Sequence, residues 1–304
     1  MGEKVSRIFE ALRRMEQIKN GVGVEIPQGA AAQSLNVLKV YSREPEGLEK
    51  VERVAYRPQP ESHVLGDGER DRAGLERFRL LRYRLYRLRE QRTLRSVLVT
   101  SAIPQEGKSM VSANLAATLA QASDRVLLVD ADLRKPSLHS FLGLRATEGL
   151  ADLLQGRVEF LSACRRVDPL GFVFLTAGRS PANPVELLQG ESMRGLVKST
   201  TTTFDWVVID SPPVLPLADA RFLAALCDAV IFVAREGHTR REELQRGLAA
   251  LKGTYIAGIV LNTSRSASEN AYSYIHPTPP TEDDMKRPGD FGRQAARVQA
   301  ASHG

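Results

Sequence analysis

The sequence has few cysteines, few aromatic residues and no long apolar run. Its two cysteines, Cys164 and Cys227, form no CxxC pair, so we expect neither a disulfide framework nor a cysteine zinc site. The five histidines are scattered, which argues against a metal cluster built on imidazole nitrogen. No segment approaches the about 18 consecutive apolar residues of a membrane-spanning helix, and no apolar leader follows the first residue. These absences predict a cytoplasmic chain.

The residues that are present are ordinary for a globular protein, with 42% apolar and 26% charged residues. The net charge of +6 is unevenly placed, since eight arginines and one glutamate lie between residues 77 and 95. A solvated helix face is the simplest interpretation of this stretch. Contact with acidic lipid headgroups or with a neighbouring subunit are alternatives. Nucleic acid ranks last and is not predicted as a partner, because no aromatic-interleaved or helix-turn-helix pattern accompanies the arginines.

Hydrophobic spacing divides the chain into four regions. Residues 1–20 predict an amphipathic helix, more often a packing face than a membrane anchor. Residues 21–72 collect glycine, proline and charge and predict a flexible linker, and the aperiodic residues 264–304 predict a disordered tail. Residues 73–263 begin with a long helix and then alternate apolar runs with helical patterns, which predicts an α/β fold with a mostly parallel sheet flanked by helices. The predicted strands are Ser96–Ser101, Arg125–Asp130, Gly171–Thr176, Trp206–Asp210, Ala229–Arg235 and Ile256–Asn262.

The strongest motif is a phosphate-binding loop between the first predicted strand and the helix that follows it. Backbone N–H groups that converge at a helix N-terminus form a site for phosphate. Gly107 lets the backbone approach the phosphate, Lys108 reaches the β- and γ-phosphates, and the Ser109 hydroxyl is a ligand for Mg²⁺. The motif predicts a P-loop NTPase that binds Mg-ATP, although an alanine replaces the usual first glycine. The predicted nucleotide-binding residues here are Ala102, Gln105, Glu106, Gly107, Lys108, Ser109 and Met110.

Acidic residues stand at the ends of two other predicted strands. Asp130 and Asp132 follow one buried strand, and Asp210 ends another. Because ligands of open α/β sheets bind outside the carboxyl ends of the strands, all three should face the loop that carries Lys108. One carboxylate can hold magnesium, usually through water, and another can accept a proton from an attacking hydroxyl. The alternative is that these acids only cap the following helices.

These motifs together resemble the bacterial tyrosine kinase (BY-kinase) family, the cytoplasmic kinases of capsule and exopolysaccharide export. Residues 102–109 resemble its Walker A motif, residues 129–134 its Walker A′ motif and residues 207–213 its Walker B motif. The resemblance covers about residues 74–264 and implies a tyrosine autokinase that uses ATP and Mg²⁺. It implies that Lys108 stabilises the transferred phosphoryl group, and that Ser109 with Asp210 organises magnesium. Asp130 and Asp132 would share metal positioning and activation of the tyrosine hydroxyl.

The resemblance also implies an assembly. Glu76, Arg79 and Arg82 fit the family's Glu-x-x-Arg-x-x-Arg pattern, which docks against the neighbouring subunit of a ring; the alternative is an intrahelical ion pair worth a few tenths of a kcal/mol. Members of the separate, non-fused type act with an integral-membrane co-polymerase, which would place this chain at the inner face of the plasma membrane. Residues 5–18 or the arginine-rich helix would dock to that partner.

Three assignments stay open at this level. The tail carries only Tyr272 and Tyr274, fewer than the tyrosine cluster of the family; these are the predicted phospho-acceptors in trans, and the alternative is that they are incidental. Asn262 is predicted either to contact adenine or to act as a cap. A MinD/ParA-like positioning ATPase is one rival function, although Ile103 stands where those proteins carry a signature lysine. A nucleotide-gated scaffold for polysaccharide assembly, without kinase activity, is the other.

Overall fold

Short runs rich in valine, isoleucine and leucine form the centre of the fold, which a computed structural model describes for residues 48–57 and 69–262. The chain divides into two units, residues 1–50 and 51–304, and of the first only the 3-10 helix Leu48–Lys50 lies within the described residues. All that follows concerns the second unit. Its strands are β1 Glu52–Ala55, β2 Ser96–Ser101, β3 Val126–Asp130, β4 Cys164–Asp168, β5 Val173–Leu175, β6 Trp206–Asp210, β7 Ala229–Arg235 and β8 Ile256–Asn262.

These strands form one eight-stranded sheet in the order β1-β4-β5-β3-β6-β2-β7-β8. All neighbouring pairs are parallel except β4 with β5. The central strands β2, β3 and β6 are buried along their whole length, so both of their faces lie in the interior. The predicted mostly parallel sheet is therefore confirmed. The helices are α1 Glu69–Arg89, α2 Lys108–Ala120, α3 Leu138–Phe141, α4 Leu150–Leu154, α5 Phe160–Ala163, α6 Pro184–Gln189, α7 Glu191–Thr203, α8 Asp219–Leu226 and α9 Arg241–Ala250.

Two neighbouring strands at one side of the sheet, the edge strand β1 and the adjacent β4, differ from the prediction. Strand β1 lies inside the range predicted as a linker, so that range is not linker throughout, and β4 was not predicted at all. Both are short and charged, and they are held partly by ion pairs, Arg165 with Glu52 at 3.1 Å and Arg53 with Asp168 at 3.4 Å. A half-exposed strand at or next to the edge of a sheet lacks the continuous apolar run that reveals a central strand.

Helix α1 packs along α2, and many of its arginines bond within the chain rather than facing water alone. Arg82 donates to the Thr118 carbonyl near the end of α2 at 2.6 Å, and the Arg89 guanidinium lies 4.9 Å from the ring centre of the buried Trp206. Tyr86 on the same helix donates to the Asp124 carboxylate at 2.5 Å. Part of the basic stretch therefore helps to pack α1 against the rest of the domain. No helix in the described ranges is both long and apolar enough to cross a membrane.

Candidate active site

The P-loop follows β2 and ends at the first residue of α2. Gly107 precedes that helix with a φ of 88°, a left-handed conformation that favours glycine. A Cβ atom at this position would lie 2.2 Å from Nδ2 of Asn262, so a larger residue would have to displace that side-chain amide. Ala102, which replaces the usual first glycine, is fully buried and packs beside α9 at Gly247. The structure thus accommodates this departure from the motif without opening the loop.

The first turn of α2 is hydrogen-bonded directly to the Walker B acid. The Ser109 hydroxyl donates to Oδ2 of Asp210 at 2.7 Å, and the Ser112 hydroxyl donates to Oδ1 at 2.9 Å. Lys108 is only 9% exposed, and Met110 is half-buried beside it on the same turn. Ser112 was not predicted as a site residue, because a serine one turn into a helix carries no distinguishing pattern.

The two strand-end acids are direct neighbours, since Asp130 on β3 pairs in register with Asp210 on β6. Burial raises the pKa of Asp130 well above its ordinary value, and the charge of Asp210 raises it further. Burial also raises the pKa of Asp210, against the opposing effects of the Ser109 hydroxyl and the Lys108 ammonium. Two adjacent buried carboxylates have a strong affinity for compensating positive charge.

Asp132 is the more accessible member of the trio. Burial raises its pKa, and the backbone N–H of Lys135 and the charge of Lys108 partly oppose that rise. The side chain is half-buried, whereas those of Asp130 and Asp210 are enclosed. The predicted convergence on the P-loop lysine is therefore present for Asp132 and Asp210, both of which interact electrostatically with Lys108.

The capping alternative also describes real contacts. Asp130 accepts the backbone N–H of Leu138, the first residue of α3, at 3.2 Å, and that of Asp132 at 3.2 Å. Asp132 accepts the N–H of Lys135 at 2.9 Å. These bonds fix the Walker A′ loop and leave carboxylate lone pairs for a ligand. Within the described part of the chain, no three His, Cys, Asp or Glu side chains are placed to hold a metal by themselves. A cation here would also need the Ser109 hydroxyl and phosphate oxygens, as magnesium commonly does.

An ion pair between a partly exposed arginine and a buried aspartate joins the Walker A′ loop to the segment after Walker B. Arg134 donates from Nε to Oδ2 of Asp219 at 2.8 Å and from Nη2 to Oδ1 at 3.3 Å. Asp219 is fully buried at the start of α8. The pair holds the loop that carries Asp132. Sequence reasoning missed Asp219, since an aspartate at a helix start is common.

The other predicted residues are placed as follows. Asn262 donates from Nδ2 to the Glu106 carbonyl at 3.1 Å, so its amide contacts the P-loop backbone. Arg79 pairs with Glu76 on the same helix at 2.5 Å, with both side chains about half exposed, as in the intrahelical alternative. Tyr272 and Tyr274 lie outside the described residues.

Comparison with known proteins shows which family the chain belongs to. Residues 97–277 match the family model described as CbiA, the CobQ/CobB/MinD/ParA nucleotide binding domain. Over 201 residues the chain is 34% identical to the tyrosine-protein kinase YwqD of Bacillus subtilis (strain 168). This match covers 66% of this chain and 85% of YwqD. The chain belongs to the bacterial tyrosine kinase family. The resemblance inferred from the Walker motifs is thereby confirmed.

Solved structures place this BY-kinase in the same group. The kinase domain of the Escherichia coli tyrosine kinase ETK is 30% identical, with a TM-score of 0.64, and the match covers 81% of this chain and 97% of that one. The septum site-determining protein MinD of Pyrococcus horikoshii, solved with Mg-ADP, is 24% identical at a TM-score of 0.50 and shares the fold alone. Among longer curated relatives, the BY-kinase chain spans only 24% to 36% of the relative's length.

Proposed function

We propose that this chain is an ATP-dependent protein-tyrosine autokinase that regulates the polymerisation and export of capsular or exopolysaccharide. The observation that carries the proposal is the bonding of the P-loop helix to the Walker B acid, Ser109 to Asp210, next to the in-register acid Asp130. Phosphoryl transfer depends mostly on positioning and charge neutralisation, which this arrangement supplies. Membership of the tyrosine kinase family favours it over a positioning ATPase that only hydrolyses ATP.

The residues present fit magnesium and a triphosphate. Ser109 and Asp210 would hold the cation, with Asp130 as a further carboxylate beside them, and the cation would neutralise charge on the phosphoryl oxygens. Lys108 would reach the β- and γ-phosphates from the first turn of α2. Such a cation would relieve the repulsion between Asp130 and Asp210, whose pKa values are both raised.

Asp132 is the proposed acceptor of the tyrosine proton. It is the only one of the three acids with appreciable exposure, so a tyrosine side chain can approach it. Its pKa is raised by burial, which brings a carboxylate closer to the value that suits a general base near neutral pH. Asp130, enclosed and bonded to two backbone N–H groups, would orient the loop and the cation.

The decisive experiment incubates the full chain with radiolabelled ATP and Mg²⁺, alone and with the cytoplasmic segment of a membrane activator. We expect label on Tyr272 or Tyr274, absent in Lys108→Met and strongly reduced in the double Tyr→Phe variant. Lys198→Met, which removes an exposed lysine of α7, is the matched control and should label normally. Phosphate release without labelled protein would favour the positioning ATPase. Neither event would favour the nucleotide-gated scaffold.

We also propose a homo-oligomeric ring in which α1 contacts a neighbouring copy, and recruitment to the inner face of the plasma membrane by an integral-membrane co-polymerase. Two apolar side chains on α1, Leu80 and Tyr83, are 50% and 59% exposed near the Glu76–Arg79 pair and support an interface there. Sedimentation of Glu76→Ala/Arg79→Ala beside wild type tests the ring. Unchanged membrane recruitment and polymer export after deletion of residues 1–20 would exclude those residues as the dock and leave the arginine-rich helix.

A further inference from the structure

The outer side of the P-loop is bonded to a turn that no motif identifies. Strand β7 ends at Arg235, and residues 235–239 then turn back towards α9, with Gly237 at a φ of 70°. The turn is closed on itself, since the Thr239 N–H donates to the Arg235 carbonyl at 2.9 Å. The Arg235 N–H in return donates to the Thr239 hydroxyl oxygen at 2.7 Å. We call residues 235–239 the β7–α9 turn.

The β7–α9 turn and the end of β8 bond three consecutive carbonyls of the loop. His238 Nε2 donates to the Pro104 carbonyl at 3.2 Å, and Arg235 Nη1 donates to the Gln105 carbonyl at 3.1 Å. The Glu106 carbonyl accepts the bond from β8 described above. In a trans peptide the C=O and the next N–H point in opposite directions. Holding these carbonyls on the outer side therefore turns the following N–H groups to the other side, as an anion-binding loop requires.

The buried carboxylate of Glu106 links the β7–α9 turn to the start of the P-loop. Glu106 is fully buried, and its Oε2 accepts the N–H of Ile103 across the loop at 2.9 Å. Its Oε1 accepts the hydroxyl hydrogen of Thr239. The hydroxyl donates in this bond because a carboxylate only accepts, while the Thr239 oxygen still accepts the Arg235 N–H. A hydrogen-bonded chain thus runs from the end of β7 to the start of the P-loop.

We propose that the β7–α9 turn is a clamp that holds the P-loop in its phosphate-binding form, with Thr239 and Arg235 as positioning residues. The clamp deepens the proposed function and rests on it, since it acts through the loop that would bind ATP. Without the Thr239 hydroxyl, one oxygen of a buried carboxylate loses its donor. A carboxylate that took N–H groups of the loop in place of that hydroxyl would compete with phosphate for them.

The test measures Mg-ATP binding by fluorescence competition against a labelled nucleotide, using the full chain. Thr239→Val keeps the shape and removes the hydroxyl, and we expect binding to weaken about tenfold. Thr239→Ser restores the donor and should recover most of the affinity, which a general packing defect would not. Thr202→Val makes the same chemical change on α7, where the hydroxyl bonds only the Ser199 carbonyl of its own helix, and should bind normally. Circular dichroism and thermal melting verify folding.

Wild-type affinity in Thr239→Val, or equal weakness in the Val and Ser variants, would overturn the clamp. If Thr239→Val does not fold, Arg235→Met decides, because its side chain is exposed and its loss removes the donor to Gln105. We expect about threefold weaker binding there, and unchanged binding would overturn the proposal.

Wild-type protein that binds ATP without labelling tyrosine contradicts the kinase alone. Wild-type kinase activity with unchanged binding in the variants contradicts the clamp alone.

Discussion

Arg134 and Asp219 form an ion pair whose two side chains are buried to different extents, so removing one partner should destabilise the protein more than removing the other. The Asp219 side chain is 1% exposed, and that of Arg134 is 35% exposed. Removing the arginine as Arg134→Met leaves a carboxylate in the interior without its cation. Breaking a buried pair in this way costs about 3–5 kcal/mol, and partial exposure of the arginine reduces this to roughly 2–3 kcal/mol. Asp219→Asn keeps the shape and leaves a guanidinium that reaches water, so roughly 1–2 kcal/mol is expected.

The single tryptophan of the chain makes the assay direct. Trp206 is fully buried at the start of β6, so its fluorescence reports unfolding of the sheet. Urea titrations at neutral pH, extrapolated linearly, give the free energies of unfolding for both variants and for the double variant. The double variant should recover at least about 1 kcal/mol relative to the sum of the single losses, because neither charge is left alone.

Arg87→Met is the matched control. It removes the same chemical group from a pair with Glu90 in which both side chains are more than half exposed, so the expected loss is below about 0.5 kcal/mol. The reasoning would be refuted if Arg134→Met were no more destabilising than Asp219→Asn, or if the double variant showed additive losses. Because the pair holds the loop that carries Asp132, Arg134→Met should also slow tyrosine labelling more than it weakens Mg-ATP binding.

Two further substitutions test the loop and the sheet. Gly107→Ala should weaken nucleotide binding, since the added Cβ would lie 2.2 Å from Nδ2 of Asn262 and would displace the amide that bonds the Glu106 carbonyl. Gly253→Ala has a similar φ of 94° with open space around it, and equal binding by the two variants would contradict the close-approach argument. Burial raises the pKa of Asp205, but the bidentate Arg125 outweighs it and holds that pKa below its ordinary 3.8. The stabilisation from the Asp205–Arg125 pair is fully present above pH 3.8 and is lost as the pH falls through the lowered pKa that Asp205 has in the folded protein. Urea titrations should therefore find Asp205→Asn about 1–2 kcal/mol less stable than wild type at pH 7 and close to wild type near pH 2. A pH-independent difference would disprove this.

The central fold was predictable because burial on both faces leaves a continuous apolar run. Strands β2 and β6 were predicted with their observed bounds, and β3 within one residue. Strand β4 was missed, since two arginines occupy its middle and only the neighbouring strands make it extended. Strand β1 was missed for the same reason, as its charged residues find partners about a hundred residues away. Such contacts are a property of the folded chain and leave no local periodicity.

At the site, the residues that were predictable are those whose chemistry lies in a local motif. Lys108, Ser109 and Asp210 stand at strand and helix ends where phosphate and cation binding require them. Asp219 and Thr239 were not predictable, because each acts through a partner far along the chain and belongs to a common residue type. The role of Asn262 also needed the folded loop, since its contact is with backbone rather than with a motif residue.

The enclosure of α2 has a consequence for how the domain responds to its ligand. Ten of its thirteen residues are buried between the sheet and α1, and Arg82 donates a hydrogen bond to the Thr118 carbonyl near its C-terminal end. Close-packed interiors do not deform gradually, so we expect this helix to keep its place when ATP binds or dissociates. The response to nucleotide is then expected in the P-loop after β2 and in the connections after β3, β6 and β7. Amide hydrogen exchange should change in those four connections on nucleotide addition, with α2 slow to exchange in both states.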